Sequence, residues 1–190
     1  MSPLCSELRH ELLARARRAI SEAASGETAA RSESKHNYDF EQDEEATARG
    51  VFVTLHRRGQ LRGCVGQIES YGPLEEVVER CAVAAAEEDP RFPPVEAREV
   101  PELEIEISLL SPLEPVAPAA IEVGRHGLVV ERGMRRGLLL PQVATEHNWQ
   151  WQRFIEETCV KAGLARDAWK DPGTRTFAFT TEVFSEAHDV

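Results

Sequence analysis

Apolar and polar residues alternate with two different periods along the chain, and these periods predict a succession of helices and strands. In residues 2–24, apolar side chains recur every three or four positions, after a serine and a proline that suit a helix start. A second helical stripe covers residues 73–89 and stops there, because Pro90 disfavours helix at the residue before it. A third helical pattern lies within residues 141–163 and ends at a glycine, a typical residue after a helix C-terminus.

Period-two alternation predicts strands in the remaining segments. Residues 51–55 and 61–69 flank a short turn around Gly59, as in a β-hairpin. The segment LEIEISLL, residues 103–110, alternates strictly and predicts a half-buried strand. Further short strands are predicted at residues 121–123, 127–132, 137–141 and 176–184. Because the strands come in groups, the pattern favours an α+β fold, with an antiparallel sheet flanked by helices.

The length of 190 residues favours a single domain or two small lobes sharing a core. We expect one domain over residues 1–190, with an N-terminal helix at 1–25 and an α+β body at 51–190. Between them, residues 26–50 are polar and acidic with little periodicity, which indicates a flexible acidic connection or flap.

Composition narrows the classes of partner. The net charge is −11, so binding to long nucleic acid is disfavoured, although a local basic pocket is compatible with it. No signal peptide or membrane-spanning segment is evident, and we expect no membrane association. The four cysteines lie far apart, without CxxC or Cys/His spacing, which predicts free thiols, a cytoplasmic location, no metal site and no cofactor.

Cys64 is the first candidate for chemistry. In the hexapeptide LRGCVG it lies between Gly63 and Gly66 and two residues after Arg62, on the same strand face. A nearby guanidinium favours the thiolate, and glycines permit close approach by a ligand. The alternative interpretation is a small buried cysteine beside a β-bulge.

Two histidines are candidate bases for this thiol. If the core-facing residues of the two hairpin strands lie opposite each other, Thr54 and His56 share a face with Arg62 and Cys64. A register slip of one residue would remove this arrangement. His126, on a glycine-flanked turn, is the alternative base, and a solvated surface role is open for both histidines.

The DPRFPP loop combines an acid, a guanidinium and an aromatic ring on a backbone that prolines stiffen. Arg91 is a candidate for binding an anionic or planar group while Phe92 packs against it. The structural alternative is that Asp89 caps the loop or pairs with Arg91, and Phe92 fills the core.

Two other groups of charged residues are candidate functional sites. Glu104 and Glu106 lie on one strand face about 7 Å apart, a spacing compatible with acid/base chemistry, although solvated strand glutamates are far more common. The basic cluster around Gly133 suits a phosphate-bearing ligand, or serves only to keep a hairpin turn soluble; it contains Arg132, Arg135 and Arg136.

The motifs together resemble the AMMECR-one domain family, whose signature hexapeptide LRGCIG stands here as LRGCVG. The resemblance extends through GVFVTL, DPRFPP, ELEIEISLLSP, HGLVV, RGLLLPQVA and CVKAGL, and covers nearly the whole chain. It implies a two-lobed α+β domain with the hexapeptide lining a cleft. It also implies that the protein functions together with a Memo-like protein and a radical S-adenosylmethionine enzyme, in the system called AmmeMemoRadiSam.

The resemblance strengthens the case that Cys64 and Arg62 are functional residues, and it adds Asp89, Arg91 and Gln142 as candidate cleft residues. Two hypotheses follow. In the first, which we favour, the chain is an accessory module that binds a small molecule or a protein partner through the cleft, because no proton-transfer partner is specified locally. In the second, it is an enzyme or sulfur-handling component with Cys64 as nucleophile or carrier and His56 or His126 as base.

Overall fold

The computed structural model describes residues 4–26, 49–70 and 72–187. It contains helices and two antiparallel four-stranded sheets, which confirms the predicted α+β fold. The chain divides into two compact units: the second consists of Leu110–Thr181, and the first is formed by the residues before and after it. In chain order the helices and strands are α1 (Ser6–Ala24), β1 (Arg49–Arg57), β2 (Gln60–Ser70), α2 (Leu74–Glu87), β3 (Leu103–Leu110), β4 (Glu114–Pro115), β5 (Gly127–Arg132), β6 (Arg135–Leu139), α3 (Pro141–Glu146), α4 (Trp151–Lys161), β7 (Arg175–Phe179) and β8 (Thr181–Ser185).

Helix α1 begins at Ser6, later than the sequence pattern predicts. The backbone N–H of Leu4 donates to the carboxylate of Glu182 on β8 at 2.9 Å, so the chain before the helix is tied to the sheet. The predicted capping residue at position 2 lies outside the described residues. The apolar stripe of α1 faces the core as predicted, with Leu12, Ala16 and Ile20 fully buried.

In the first unit the strand order is β2-β1-β3-β8, and α1 and α2 contribute to the same hydrophobic core. The predicted hairpin is confirmed: β1 and β2 pair antiparallel around a turn in which Arg58 and Gly59 have φ values of 53° and 73°. Positive φ at both central residues is the geometry of a type I′ turn, which matches the twist of the flanking strands.

The predicted acidic connection at 26–50 is shorter at its end than expected, because Arg49 and Gly50 already belong to β1. Residues 27–48, which carry the rest of that prediction, lie outside the described residues.

In the second unit the strand order is β4-β7-β5-β6, with Phe154 and Ile155 of α4 buried in its core. Residues 121–123, predicted as a strand, follow a short 3-10 helix, Pro118–Ala120, and form no strand. The predicted strand at 176–184 is two strands, β7 and β8, in different sheets. They separate at Thr180, whose backbone oxygen accepts the N–H of Ser111 at 2.9 Å. Within the described residues, no helix combines the length and apolar character needed to cross a membrane.

Candidate functional site

Cys64 lies in the middle of β2, half-buried, directly opposite Thr54 of β1. This part of the register agrees with the sequence prediction, since Val53 faces Val65 and Leu55 faces Gly63. The Thr54 hydroxyl donates a hydrogen bond to Cys64 Sγ at 3.4 Å. The thiol therefore has a hydroxyl neighbour, not a histidine.

The two predicted bases, His56 and His126, belong to different units of the chain. The register shifts between Leu55 and His56, so His56 lies opposite Leu61 and not opposite Arg62. His126 belongs to the second unit, and its Nδ1 accepts the backbone N–H of Glu122 at 3.1 Å. Among the described residues, no histidine is hydrogen-bonded to Cys64.

Arg62 is engaged with a loop and a carboxylate of the same unit. Its guanidinium donates to the backbone oxygens of Pro93 and Pro94 at 3.0 and 3.2 Å. It also makes two hydrogen bonds to the carboxylate of Glu99, at 3.1 and 2.9 Å. With 12% of the side chain exposed, Arg62 holds the proline loop against β2.

Glu99 is the partner that sequence reasoning missed. Besides Arg62, its carboxylate accepts Arg57 Nη1 at 2.7 Å and the Glu96 backbone N–H at 2.9 Å. The hydrogen bond from Arg62 is the main reason why the pKa of Glu99 falls to about 2. No local pattern indicated this residue, because its partner lies 37 positions earlier.

Asp89 is 4% exposed, and it anchors the DPRFPP loop to the strand that carries Cys64. Its carboxylate accepts the Cys64 N–H at 2.8 Å and the Arg91 N–H at 3.1 Å. The Arg91 guanidinium donates to both oxygens, at 2.9 and 2.6 Å. The hydrogen bond from Arg91 is the main cause that holds the pKa of Asp89 well below its usual range.

The same pair protects the edge of the sheet. Strand β2 is an edge strand, so the N–H and C=O of Cys64 have no neighbouring strand on their outer side. Asp89 accepts that N–H, and Arg91 Nη2 donates to that C=O at 3.4 Å. A carboxylate and a guanidinium thus replace the donor and acceptor of a missing strand.

Arg91 is the cation beside the thiol, a role that the sequence interpretation gave to Arg62. Its side chain is 54% exposed although Asp89 holds it on two atoms. The pKa of Arg91 is raised chiefly by that hydrogen bond, with smaller contributions that include the side chain of Cys64. Its guanidinium carbon lies 5.6 Å from the centre of the Phe92 ring. We call Thr54, Cys64, Arg91 and Phe92 the thiol patch.

The two glycines of the hexapeptide have packing roles. A Cβ on Gly63 would lie 2.1 Å from the backbone oxygen of Ala85, so β2 and α2 approach too closely for any side chain. A Cβ on Gly66 would lie 2.3 Å from the Val51 oxygen and 2.4 Å from the Phe52 ring. These contacts explain both residues without a bound ligand.

The remaining candidates, Glu106 and Gln142, belong to different units of the chain. Glu106 lies on β3, partly exposed, and its side chain makes no hydrogen bond or ion pair with another described residue. Gln142 lies in α3 of the second unit, and its buried Oε1 accepts no hydrogen bond from the described residues. In the same part of the chain, no group of three or more His, Cys, Asp or Glu side chains is arranged to hold a metal ion.

Chemically, the thiol patch combines a half-buried sulfur, a hydroxyl donor and a cation whose position Asp89 fixes. A pre-positioned guanidinium suits carboxylate or phosphate groups, and it also stabilises a nearby thiolate. Proton transfer would need a titratable partner for the sulfur. The contacts that the described residues make with Cys64 supply none.

Comparison with known proteins agrees with this fold. The sequence model of the AMMECR1 family matches residues 13–184. A protein from Methanothermobacter thermautotrophicus is 48% identical over 145 residues, 73% of this chain and 76% of its own length. Protein TK0174 from Thermococcus kodakarensis is 46% identical over 150 residues, 73% of each chain. The crystal structure of the uncharacterized protein PH0010 from Pyrococcus horikoshii matches with a TM-score of 0.74 and 41% identity, covering 92% of this chain and 89% of that one. The chain therefore belongs to the AMMECR1 family.

Proposed function

We propose that this protein is an accessory binding protein, in which the thiol patch docks an anionic group of a ligand or partner. The observation that carries the proposal is the guanidinium of Arg91, held on two atoms by buried Asp89 and still 54% exposed. A cation that is already oriented loses little conformational freedom when it binds, so its contacts contribute more to affinity. Carboxylate and phosphate groups match the fork of donors that it presents.

The surroundings of the patch favour binding over catalysis. Arg62, the other cation of the hexapeptide, is engaged with Glu99 and two backbone oxygens. The hydrogen bond to Cys64 Sγ comes from a threonine hydroxyl, which is a weak acid and a poor base near neutral pH. The patch thus has the parts of an anion-recognition site and lacks a residue suited to move a proton.

The occupants that we propose follow the resemblance of the motifs. A Memo-like protein or a radical S-adenosylmethionine enzyme presents a carboxylate to Arg91, or a small anionic ligand does so while the hexapeptide lines a cleft around it. The charge of −11 argues against long nucleic acid as the occupant, because most of the surface would repel its phosphates. We propose the cytoplasm as the place where this binding occurs.

The test compares Arg91→Gln with Arg98→Gln. Arg98 is an equally charged neighbour that pairs with Glu96 and is 81% exposed, so it is a matched control. Binding of the purified Memo-like and radical S-adenosylmethionine proteins from the same organism is measured by calorimetry. We expect Arg91→Gln to weaken binding about tenfold or more and Arg98→Gln to leave it unchanged. Cys64→Ser should retain binding, because the sulfur makes no ion pair that recognition requires. If both arginine variants bind equally well, the proposal is wrong; if neither protein binds the wild type, the two proposed protein partners are excluded.

A second candidate function is sulfur chemistry at Cys64, and the observation that favours it is the Thr54 hydroxyl 3.4 Å from the sulfur with Arg91 nearby. The thiolate would attack an electrophilic carbon or sulfur of the substrate and form the new bond, while the leaving group departs with its electron pair. Alkylation by iodoacetamide between pH 6 and 9, followed by peptide mass spectrometry, tests this. The exposed thiol of Cys5 is the internal reference. A rate for Cys64 no higher than that of Cys5 would exclude the nucleophile.

A further inference from the structure

A groove of about 660 Å³ lies in the second unit, beside the tip of the β5–β6 hairpin. That volume is within the range of ligand-binding sites, about 300–1,000 Å³. All of its lining belongs to the second unit, so it is a different site from the thiol patch. The lining residues are Arg132, Met134, Arg135, Leu164, Ala165, Asp167, Ala168, Lys170 and Asp171.

The charges of the groove are only partly neutralised within the protein. Arg132 pairs with Asp171 at 2.9 Å. Arg135 donates to the backbone oxygen of Gly163 at 2.8 Å, and among the described residues neither it nor Lys170 has a carboxylate partner. Among the carboxylates that line the groove, Asp167 has no cation partner within the described residues. Two uncompensated cations against one carboxylate make the groove locally positive, in a chain whose net charge is −11.

The apolar part of the lining is placed where an incoming side chain would cover it. Met134 at the hairpin tip is fully exposed, so its whole side chain is accessible to an incoming group. Leu164, Ala165 and Ala168 contribute further apolar surface to the groove. Methionine is flexible and polarisable, and it is frequent on surfaces that bind varied peptide side chains.

We propose that this groove binds a short acidic peptide segment of a partner protein, with an apolar side chain packed against Met134. Charge complementarity supports this occupant, because Arg135 and Lys170 attract carboxylates that the rest of the surface repels. The mixture of apolar surface and separated cations suits a peptide better than a small inorganic anion, which would leave Met134 uncovered. The hexapeptide and the thiol patch have no part in this binding.

The probe is a fluorescein-labelled synthetic peptide of sequence EELFEE, with KKLFKK as its charge-reversed counterpart. Fluorescence anisotropy at 50 and 300 mM NaCl reports the affinity. We expect EELFEE to bind, to bind more weakly at the higher salt concentration, and to bind more tightly than KKLFKK.

Variants on the rim give the sharper test, because they move the affinity in opposite directions. The double variant Arg135→Gln/Lys170→Gln should weaken binding of EELFEE about tenfold, at about threefold for each exposed charge. Asp167→Asn should strengthen binding about threefold, since it removes the groove's unpaired carboxylate. Met134→Ala should weaken it about threefold to tenfold. Arg125→Gln, an exposed arginine of the same unit that pairs with Glu122, should leave the affinity unchanged.

All of these side chains are exposed or on the groove rim, and unchanged thermal unfolding will verify that each variant folds. Absence of any anisotropy change up to millimolar protein would overturn the proposal. Equal binding of EELFEE and KKLFKK would do the same. Full competition by a few millimolar inorganic phosphate, together with no effect of Met134→Ala, would assign the groove to small anions instead of a peptide.

Discussion

Replacing Asp89 by asparagine tests the contact that joins the hexapeptide to the DPRFPP loop. The variant keeps the shape of the side chain but removes its charge. It also places an amide NH₂ where the carboxylate accepts hydrogen bonds from the Cys64 N–H, the Arg91 N–H and the Arg91 guanidinium. At least one of these donors then faces another donor.

The magnitude follows from burial. Asp89 is 4% exposed, so a donor left without its acceptor there costs about 1–3 kcal/mol. Breaking a fully buried ion pair costs about 3–5 kcal/mol, but half of the Arg91 side chain is in water and recovers part of that loss. We therefore expect Asp89→Asn to lower the free energy of unfolding by about 2–3 kcal/mol.

Urea unfolding at pH 7 measures this loss, and Asp171→Asn is the matched control. Asp171 also pairs with an arginine, Arg132, at 2.9 Å, but it is 42% exposed, so its loss should stay below about 1 kcal/mol. The pH dependence has a definite sign. Because the folded-state pKa of Asp89 is lowered, its contribution is complete above the unfolded pKa of about 3.9 and is lost as the pH falls below it. The gap between wild type and Asp89→Asn should therefore narrow below about pH 4. Equal losses in the two variants, or a gap that does not change down to pH 3, would refute this reasoning.

Two further predictions concern the same unit. Gly63→Ala should destabilise the protein by about 1–3 kcal/mol in thermal or urea unfolding, because its Cβ would lie 2.1 Å from a backbone oxygen of α2. Gly173→Ala is the control. Its Cβ would meet its nearest neighbour at 3.6 Å, so this change should be near neutral. Glu99→Gln should lower the free energy of unfolding by about 3 kcal/mol. It should also remove the loss of stability that the lowered pKa of Glu99 predicts for the wild type as the pH falls from about 4.5 to 2. If the stability of the variant falls with pH in the same way as that of the wild type, this reasoning is wrong.

The fold was largely predictable because its signals are local. The hairpin follows from alternation on both sides of Gly59, and the end of α4 follows from Gly163, whose φ of 71° suits a glycine after a helix. Where the prediction failed, the deciding contact was distant in sequence. Nothing in the alternation of residues 176–184 indicates a break at Thr180, where the backbone oxygen accepts a hydrogen bond from Ser111, far away in sequence.

In the candidate site, too, local contacts could be predicted from the sequence and distant contacts could not. Cys64 and its opposite residue Thr54 could be placed by counting along two strands. The register shift after Leu55 changed the partner of His56; the glycines of the hexapeptide indicated a bulge without specifying on which side of Cys64 it would fall. The pairing of Arg91 with Asp89 was one of the alternatives open from the DPRFPP loop, whereas the pairing of Arg62 with Glu99 was not, because Glu99 lies 37 positions away.

The path of the chain has a consequence for its synthesis. Strand β8, which contains Glu182 and is followed by Glu186, belongs to the sheet of the first unit but begins at Thr181, the last residue of the second unit. Glu182 accepts the Leu4 N–H, and Glu186 pairs with Arg17 of α1 at 2.5 Å. Because α1 is synthesised before β8, its anchoring carboxylates do not yet exist when α1 leaves the ribosome, so the first unit is completed only after the residues of the second unit have been synthesised.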